Sequence, residues 1–212
     1  EVQPSFILSV ESELNIQAGL QDRVVQVYQG LVFMDFNAEH MKAHGHGIYE
    51  RLPRASFEWL SSLPFFIAYE ADPSDSGKIH SDVRARWDKG DEQAISAMRT
   101  FGELAVRAKE AIEKKDHAGL ADLMDQNFAL RRQLYGDNCL GKKNLQMVEI
   151  CKANGCAVKF PGSGGAVLGL CRPANADSSP KGKRHPIDCV QEALEGANYV
   201  FCPLDFFMPE SV

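Results

Sequence analysis

The sequence predicts an α+β fold, and three observations carry that expectation. Apolar residues recur at three- and four-residue spacing through 91–113, 117–135 and 142–154, the period of amphipathic helices. Short apolar or aromatic runs, "LVFMDF" (31–36), "LPFFIAYE" (63–70) and "AVLGLC" (166–171), have the length and composition of strands. The loop "PGSGG" (161–165) joins two such runs without an intervening helix, so neighbouring strands run antiparallel.

The elements follow in order. "SFILSVESEL" (5–14) reads as the end of an amphipathic helix, and after Gly19 the stretch "DRVVQVY" continues as a second helix to a break at Gly30. "LVFMDF" is a buried strand. The segment 37–62 is mixed in pattern, with a strand near 47–52, and "LPFFIAYE" ends in the turn-rich "ADPSDSGKIHS". Ile95, Met98, Leu104, Ala108 and Ile112 mark the face of the first long helix. Leu120, Leu123, Met124, Phe128 and Leu134 mark the second, and Leu145, Val148 and Cys151 the third, which stops at Gly155. Then come strand 156–160, the glycine loop, strand 166–171, the polar loop "RPANADSSPKGKRHP" (172–186), helix 187–196 and strand 198–203. The polar loop reads as a solvated insertion, and no internal repeat stands out.

Composition bounds the function. The chain has 212 residues, 44% hydrophobic, enough for one large or two small domains with a real core. A net charge of −6 argues against a dedicated nucleic-acid surface, which would need a basic face. No run approaches the ~18 apolar residues of a membrane span, and no secretory leader opens the chain. The six cysteines all lie between 139 and 202 without a C-x-x-C pair, so reduced, buried thiols in a cytoplasmic protein are expected rather than disulfides or zinc.

Two constellations carry chemistry. Gly162, Ser163, Gly164 and Gly165 form a loop that permits unusual φ angles and close backbone approach to a ligand. It is not a Walker loop, which runs G-x-x-x-x-G-K-[ST] into a helix, nor a dinucleotide fingerprint, because a strand follows. A tight glycine hairpin of purely structural purpose accounts for the loop taken alone. Asp22 stands in the first turn of a predicted helix, where the macrodipole favours a carboxylate, and Arg23 beside it can pair with it or orient an anion.

Together these motifs resemble the kinase superfamily named for galactokinase, homoserine kinase, mevalonate kinase and phosphomevalonate kinase (GHMP). Gly19-Leu20-Gln21-Asp22-Arg23 is similar to the G-x-x-D-[QR] pattern of its sugar kinases. Lys159 with Gly162-Ser163-Gly164-Gly165 is similar to its third motif, K-x-x-G-[AS]-G-G. "SDSGKIHS" (74–81) looks like its T-G-x-x-R-S segment, with His80 where Arg is usual, and "NFALRR" (127–132) falls in the helix upstream of the third motif. The phrases "AGLQDRVVQVYQGLVFMDF", "DPSDSGKIHS", "RRQLYGDNCLG" and "KFPGSGGAV" most resemble the plant-type glucuronokinase family, over most of 5–171.

The resemblance implies a ferredoxin-like C-terminal domain over 63–212, preceded by the tail of the N-terminal domain over 1–62. It implies transfer of the ATP γ-phosphoryl to the anomeric hydroxyl of D-glucuronate, with Asp22 as the base. Arg23 is the first candidate for the sugar carboxylate, with Lys78 and His80 behind it, and Gly162, Ser163, Gly164 and Gly165 lie on the nucleotide side. The family's second motif, P-x-x-x-G-L-x-S-S, which wraps ATP and supplies a Mg²⁺-coordinating serine, has no match here. The chain is therefore expected to be the C-terminal portion of such a kinase, inactive by itself, with its metal ligands in the N-terminal part. Two other readings stay open: a kinase of the same superfamily for galactose or a heptose, and a non-catalytic binding module. His40, His44 and His46 give H-x₃-H-x-H, but no fourth ligand is evident and the segment reads as an exposed loop, so no metal is expected there. Arg131 and Arg132 end a helix, where cations are favoured for capping alone.

Overall fold

In the computed structural model, residues 2–13, 19–71, 81–162, 164–173 and 185–207 are described. The chain divides into two compact units, residues 1–60 with 206–212, and residues 61–205.

The first unit opens with helices α1 (Gln3–Glu13) and α2 (Leu20–Tyr28). Helix α2 starts after Gly19 and ends where Gln29 and Gly30 take φ of 56° and 69°, so the break expected at Gly30 is a left-handed turn. Strands β1 (Val32–Asp35) and β2 (Ile48–Arg51) pair antiparallel, with Val32 opposite Arg51 and Asp35 opposite Ile48. Between them runs α3 (Ala38–His44), begun by the Asn37 side chain, which accepts from the Glu39 and His40 N–H groups at 3.0 Å each. Gly45, at φ 75°, stops it. Helix α4 (Arg54–Ser61) follows and buries Phe57 and Leu60. Neither α3 nor α4 was expected from the mixed pattern of 37–62. Each is only two turns long, too short to display a repeating apolar face.

The second unit is built on a four-stranded antiparallel sheet in the order β4-β5-β3-β6. Its strands are β3 (Phe65–Glu70), β4 (Cys156–Lys159), β5 (Ala166–Cys171) and β6 (Tyr199–Pro203). β3 is central and pairs antiparallel with both β5 and β6, although β4 and β5 are the strands joined by a short loop. β3 and β4 are thus parallel and separated by β5, the split β-α-β arrangement of ferredoxin-like domains. The α+β expectation holds.

The connection from β3 to β4 carries α5 (Ser81–Asp88), α6 (Glu92–Glu113), α7 (His117–Tyr135), the short α8 (Asp137–Leu140) and α9 (Lys142–Ala153). Helix α10 (Pro186–Gly196) joins β5 to β6. The three long periodic segments match α6, α7 and α9 to within a residue or so at each end. Helix α5 lies almost wholly in 82–90, between the turn-rich segment and the first long periodic stretch, where the sequence pattern predicts no element.

Period-two alternation turns Phe66 and Ala68 of β3, Val167 and Cys171 of β5, Cys156 and Val158 of β4, and Tyr199 and Phe201 of β6 into one core. They meet Phe128 of α7, Met147, Val148 and Cys151 of α9, and Val190 and Leu194 of α10. A smaller cluster joins Val83, Ala94, Ala97 and Leu134. Arg86 ties α5 to its neighbours, donating to Asp91 at 2.8 Å, to the Leu134 carbonyl at 3.0 Å and to Gln93 at 3.0 Å.

Helix α7 begins at Asp116, whose Oδ1 accepts from the Gly119 N–H at 2.9 Å. Asp116→Ala is expected to cost about 1 kcal/mol, the usual value of such a cap. The loss should appear as a lower urea midpoint with an unchanged slope. Among the described residues no helix is long and apolar enough to cross a membrane.

Candidate functional site

The glycine hairpin is set by the strands on either side of it. Gly164 and Gly165 take φ of 144° and 77°, conformations that a side chain at those positions would strain. A Cβ at Gly162 would meet nothing within 4 Å, so at that position the loop backbone is open to an approaching group. The Gly165 N–H donates to Asn144 Oδ1 at 2.9 Å, and the Gly165 carbonyl accepts from the Glu70 N–H at 3.1 Å. Asn144 lies in the first turn of α9 and also donates to the Leu140 carbonyl at 2.7 Å. One side chain therefore pins the base of the hairpin to a helix start. Lys143 beside it pairs with Glu70 at 2.9 Å, and the Lys143 carbonyl accepts from the Tyr199 hydroxyl at 3.0 Å. Ser163 lies outside the described residues.

Cations gather under the hairpin. Lys159, last residue of β4, donates to the Phe160 carbonyl at 2.8 Å. Burial, and secondly the charge of Arg131, hold its ammonium below the usual lysine range. The Arg131 guanidinium stands 5.2 Å from the Phe160 ring centre and 5.3 Å from that of Tyr135, between two aromatic faces, and burial lowers its pKa too. Arg132, one residue on, behaves differently. It makes a two-pronged pair with Asp137 at 2.6 and 2.7 Å and closes the turn after α7. Of the two arginines, Arg132 does the structural work that helix-end cations commonly do, and Arg131 is the one held beside the loop.

Tyr135 also lines a cleft of about 500 Å³ with Val83, Arg84, Trp87 and Asp88 of α5 and Met98 of α6. That volume suits a small metabolite. Helix α5 follows directly on the segment that holds Lys78 and His80, and both of those residues lie outside the described residues.

In the first unit, Asp22 stands in the first turn of α2 with its side chain 74% exposed. Arg23 is buried. Its Nε donates to Glu11 Oε2 at 2.5 Å, a second contact from its fork reaches the same oxygen, and its Nη1 lies 3.6 Å from Asp22 Oδ2. Glu11 of α1 thus holds the guanidinium that flanks Asp22.

The histidine segment is corrected. His40 and His44 sit on α3 rather than in a loop, one turn apart, with rings stacked at 4.2 Å, and the His46 ring lies 5.6 Å from that of His40. Among the described residues no group of three His, Cys, Asp or Glu side chains is placed to hold a metal ion. The cysteines are also partly corrected. All six are free thiols, but only Cys151, Cys156 and Cys171 are buried, while Cys139, Cys189 and Cys202 are partly exposed.

Asn144, Arg131 and Tyr135 were not expected as site residues. Asn144 is 21 residues from Gly165, so no local spacing links the two. Arg131 carried a signal, an arginine one turn before a tyrosine on a helix, but helix-end capping explains such a pattern equally well.

Residues 108–178 match the family model described as GHMP kinases C terminal. The chain is 51% identical over 172 residues to glucuronokinase 1 of Arabidopsis thaliana, covering 81% of this chain and 46% of that protein. To probable glucuronokinase 2 of the same plant it is 50% identical over 173 residues, with the same coverage. The chain spans about half the length of the curated relatives it matches. Among solved structures it is similar to the mevalonate kinase of L. major in complex with R-mevalonate. The TM-score is 0.61 at 19% identity, covering 91% of this chain and 51% of that one, a likeness of fold.

Proposed function

We propose that this chain, which carries a GHMP-kinase C-terminal domain, is the C-terminal portion of a glucuronokinase-like sugar-1-kinase. The reaction is transfer of the ATP γ-phosphoryl to the anomeric hydroxyl of D-glucuronate, giving glucuronate 1-phosphate. The observation that carries this reading is identity near 50% with two glucuronokinases over 81% of this chain.

Asp22 is the base. Its carboxylate is exposed at a helix start, where the macrodipole favours the charged form, and Arg23 flanks it. It takes the proton of the sugar C1 hydroxyl as that oxygen attacks the γ-phosphorus. Phosphoryl transfer depends chiefly on alignment and charge stabilisation, so one positioned carboxylate is an adequate contribution from this part of the chain. Arg23 is the proposed partner of the sugar carboxylate. Its fork already seats a carboxylate, that of Glu11, and a sugar acid would bind there by displacing it. Gly162, Gly164 and Gly165 serve the nucleotide side with Ser163, and Lys159 and Arg131 supply positive charge next to that loop. Lys78 and His80 remain further candidates for the sugar. Mg²⁺, which ATP brings to such reactions, neutralises phosphate charge when bound, and its protein ligands are proposed to lie in the N-terminal part of the kinase. The free thiols fit a reducing compartment, and we place the protein in the cytoplasm.

The test is an ATP-dependent phosphorylation assay of the protein expressed from its complete coding sequence, with glucuronate, galactose and a heptose as acceptors. Glucuronate is expected to give the highest kcat/KM. Preference for a neutral sugar overturns the substrate, and no turnover with any acceptor overturns the kinase reading.

A further inference from the structure

Cys156 opens β4 and Cys171 closes β5, and the two stand directly opposite each other in the antiparallel register. The Arg172 N–H donates to the Gly155 carbonyl at 3.2 Å, so the 155–172 pair is hydrogen-bonded and the adjacent 156–171 pair is not. The Cys171 N–H points the other way, to the Pro64 carbonyl at 3.2 Å. Non-hydrogen-bonded pairs bring the opposed residues closest, with Cα atoms about 4.5 Å apart, inside the range that a disulfide spans. The sulfurs are already in contact at 3.3 Å. Of the six cysteines, no other two are paired by the strand register.

We propose that Cys156 and Cys171 are a redox pair that closes into a disulfide on exposure to a peroxide, tying the open end of the hairpin whose other end is the glycine loop. The thiols differ in role. The Cys156 S–H donates to Cys171, which lowers the Cys171 pKa and raises that of Cys156, so Cys171 is the nucleophile. Cys151, nearby in α9, is pushed up to about 12 by burial and stays inert. The Cys171 thiolate attacks one peroxide oxygen and the O–O bond breaks. This gives a sulfenic acid and a hydroxide, which takes up a proton to become water. The Cys156 sulfur then attacks the sulfenic sulfur, the S–S bond forms, and the OH leaves with the Cys156 proton as a second water. Two thiols lose two electrons in total, and the peroxide gains them. Both sulfurs are buried, but β4 is the edge strand of the sheet, and local opening at its first residue uncovers Cys171, which lies opposite on β5, to the peroxide.

The sequence makes the product readable. Trypsin separates Cys151 (144–152), Cys156 (153–159) and Cys171 (160–181) into three peptides with one cysteine each, the last extended because Pro173 blocks cleavage after Arg172. The full chain is treated with hydrogen peroxide, its remaining thiols are blocked, and it is digested without reductant. The expected result is a 153–159/160–181 conjugate that dithiothreitol dissolves, together with a Tm rise of about 5–10 °C over the reduced chain, as loop closure on this scale produces. Cys156→Ser and Cys171→Ser each lose the conjugate and the Tm rise, while Cys151→Ser keeps both. Thiols that stay reduced, a 144–152/160–181 conjugate, or linkage only through Cys139, Cys189 or Cys202 would each overturn the proposal. None of these outcomes depends on kinase activity.

Discussion

Asp22→Asn in the full-length protein is expected to lower kcat by about 10²–10⁴-fold, the contribution typical of a general base. The amide keeps the size and much of the hydrogen bonding of the carboxylate but cannot accept the hydroxyl proton. KM for ATP should change little. Folding should be undisturbed, because the side chain is 74% exposed and its contact with Arg23 is the longer of the contacts that guanidinium makes with acids. The decisive measurement is steady-state kinetics beside a thermal melt. Turnover at the wild-type rate would remove Asp22 from the mechanism, whereas a fall in rate that tracks a fall in Tm would make its role structural.

Gly169→Ala is expected to destabilise the second unit markedly. Gly169 pairs with Phe66 within the β3–β5 ladder, and the Phe66 ring lies across the space where its side chain would be. A Cβ there would stand 2.1 Å from the ring's Cζ and 2.5 Å from both Cε atoms. The ring cannot swing aside freely, because Phe66 is fully buried and its ring centre lies 5.0 Å from that of Phe201 of β6. Overpacking of this kind costs about 1–3 kcal/mol, and the confinement on both sides puts this site at the upper end. Denaturant unfolding should show a reduced midpoint. Combining the change with Phe66→Leu should recover part of the loss, and failure to recover would mean that the strain lies elsewhere.

The long helices were legible because each repeats its apolar face over three or more turns. Leu120, Leu123, Met124, Phe128 and Leu134 of α7 are all buried, as their spacing implied. The strands of the second unit were equally legible, since Val158, Phe66 and Phe201 sit in runs whose every second residue meets the core. Helices α3 and α4 were not, although Asn37 is a strong cap residue, because a cap without a following apolar period reads as a turn. At the candidate site, the glycine hairpin and Asp22 were visible as local patterns. The Arg23–Glu11 pair, the Asn144 clamp and the Arg131 sandwich were not. Each joins residues brought together only by tertiary packing, and no spacing along the chain encodes that.

The strand order has a consequence for synthesis on the ribosome. β3 occupies the middle of its sheet, yet its partners β5 and β6 both emerge later, the first of them only at Ala166, nearly a hundred residues after Glu70. At typical elongation rates of roughly 5–20 residues per second, the nascent chain carries "FFIA" for about 5–20 s with both edges unpaired. During that interval the helices made between them are the first surface against which Phe66 and Ala68 can be sheltered. Weakening the α7 or α9 face should therefore lower the yield of soluble protein from translation more than it lowers the stability of chains that have already folded.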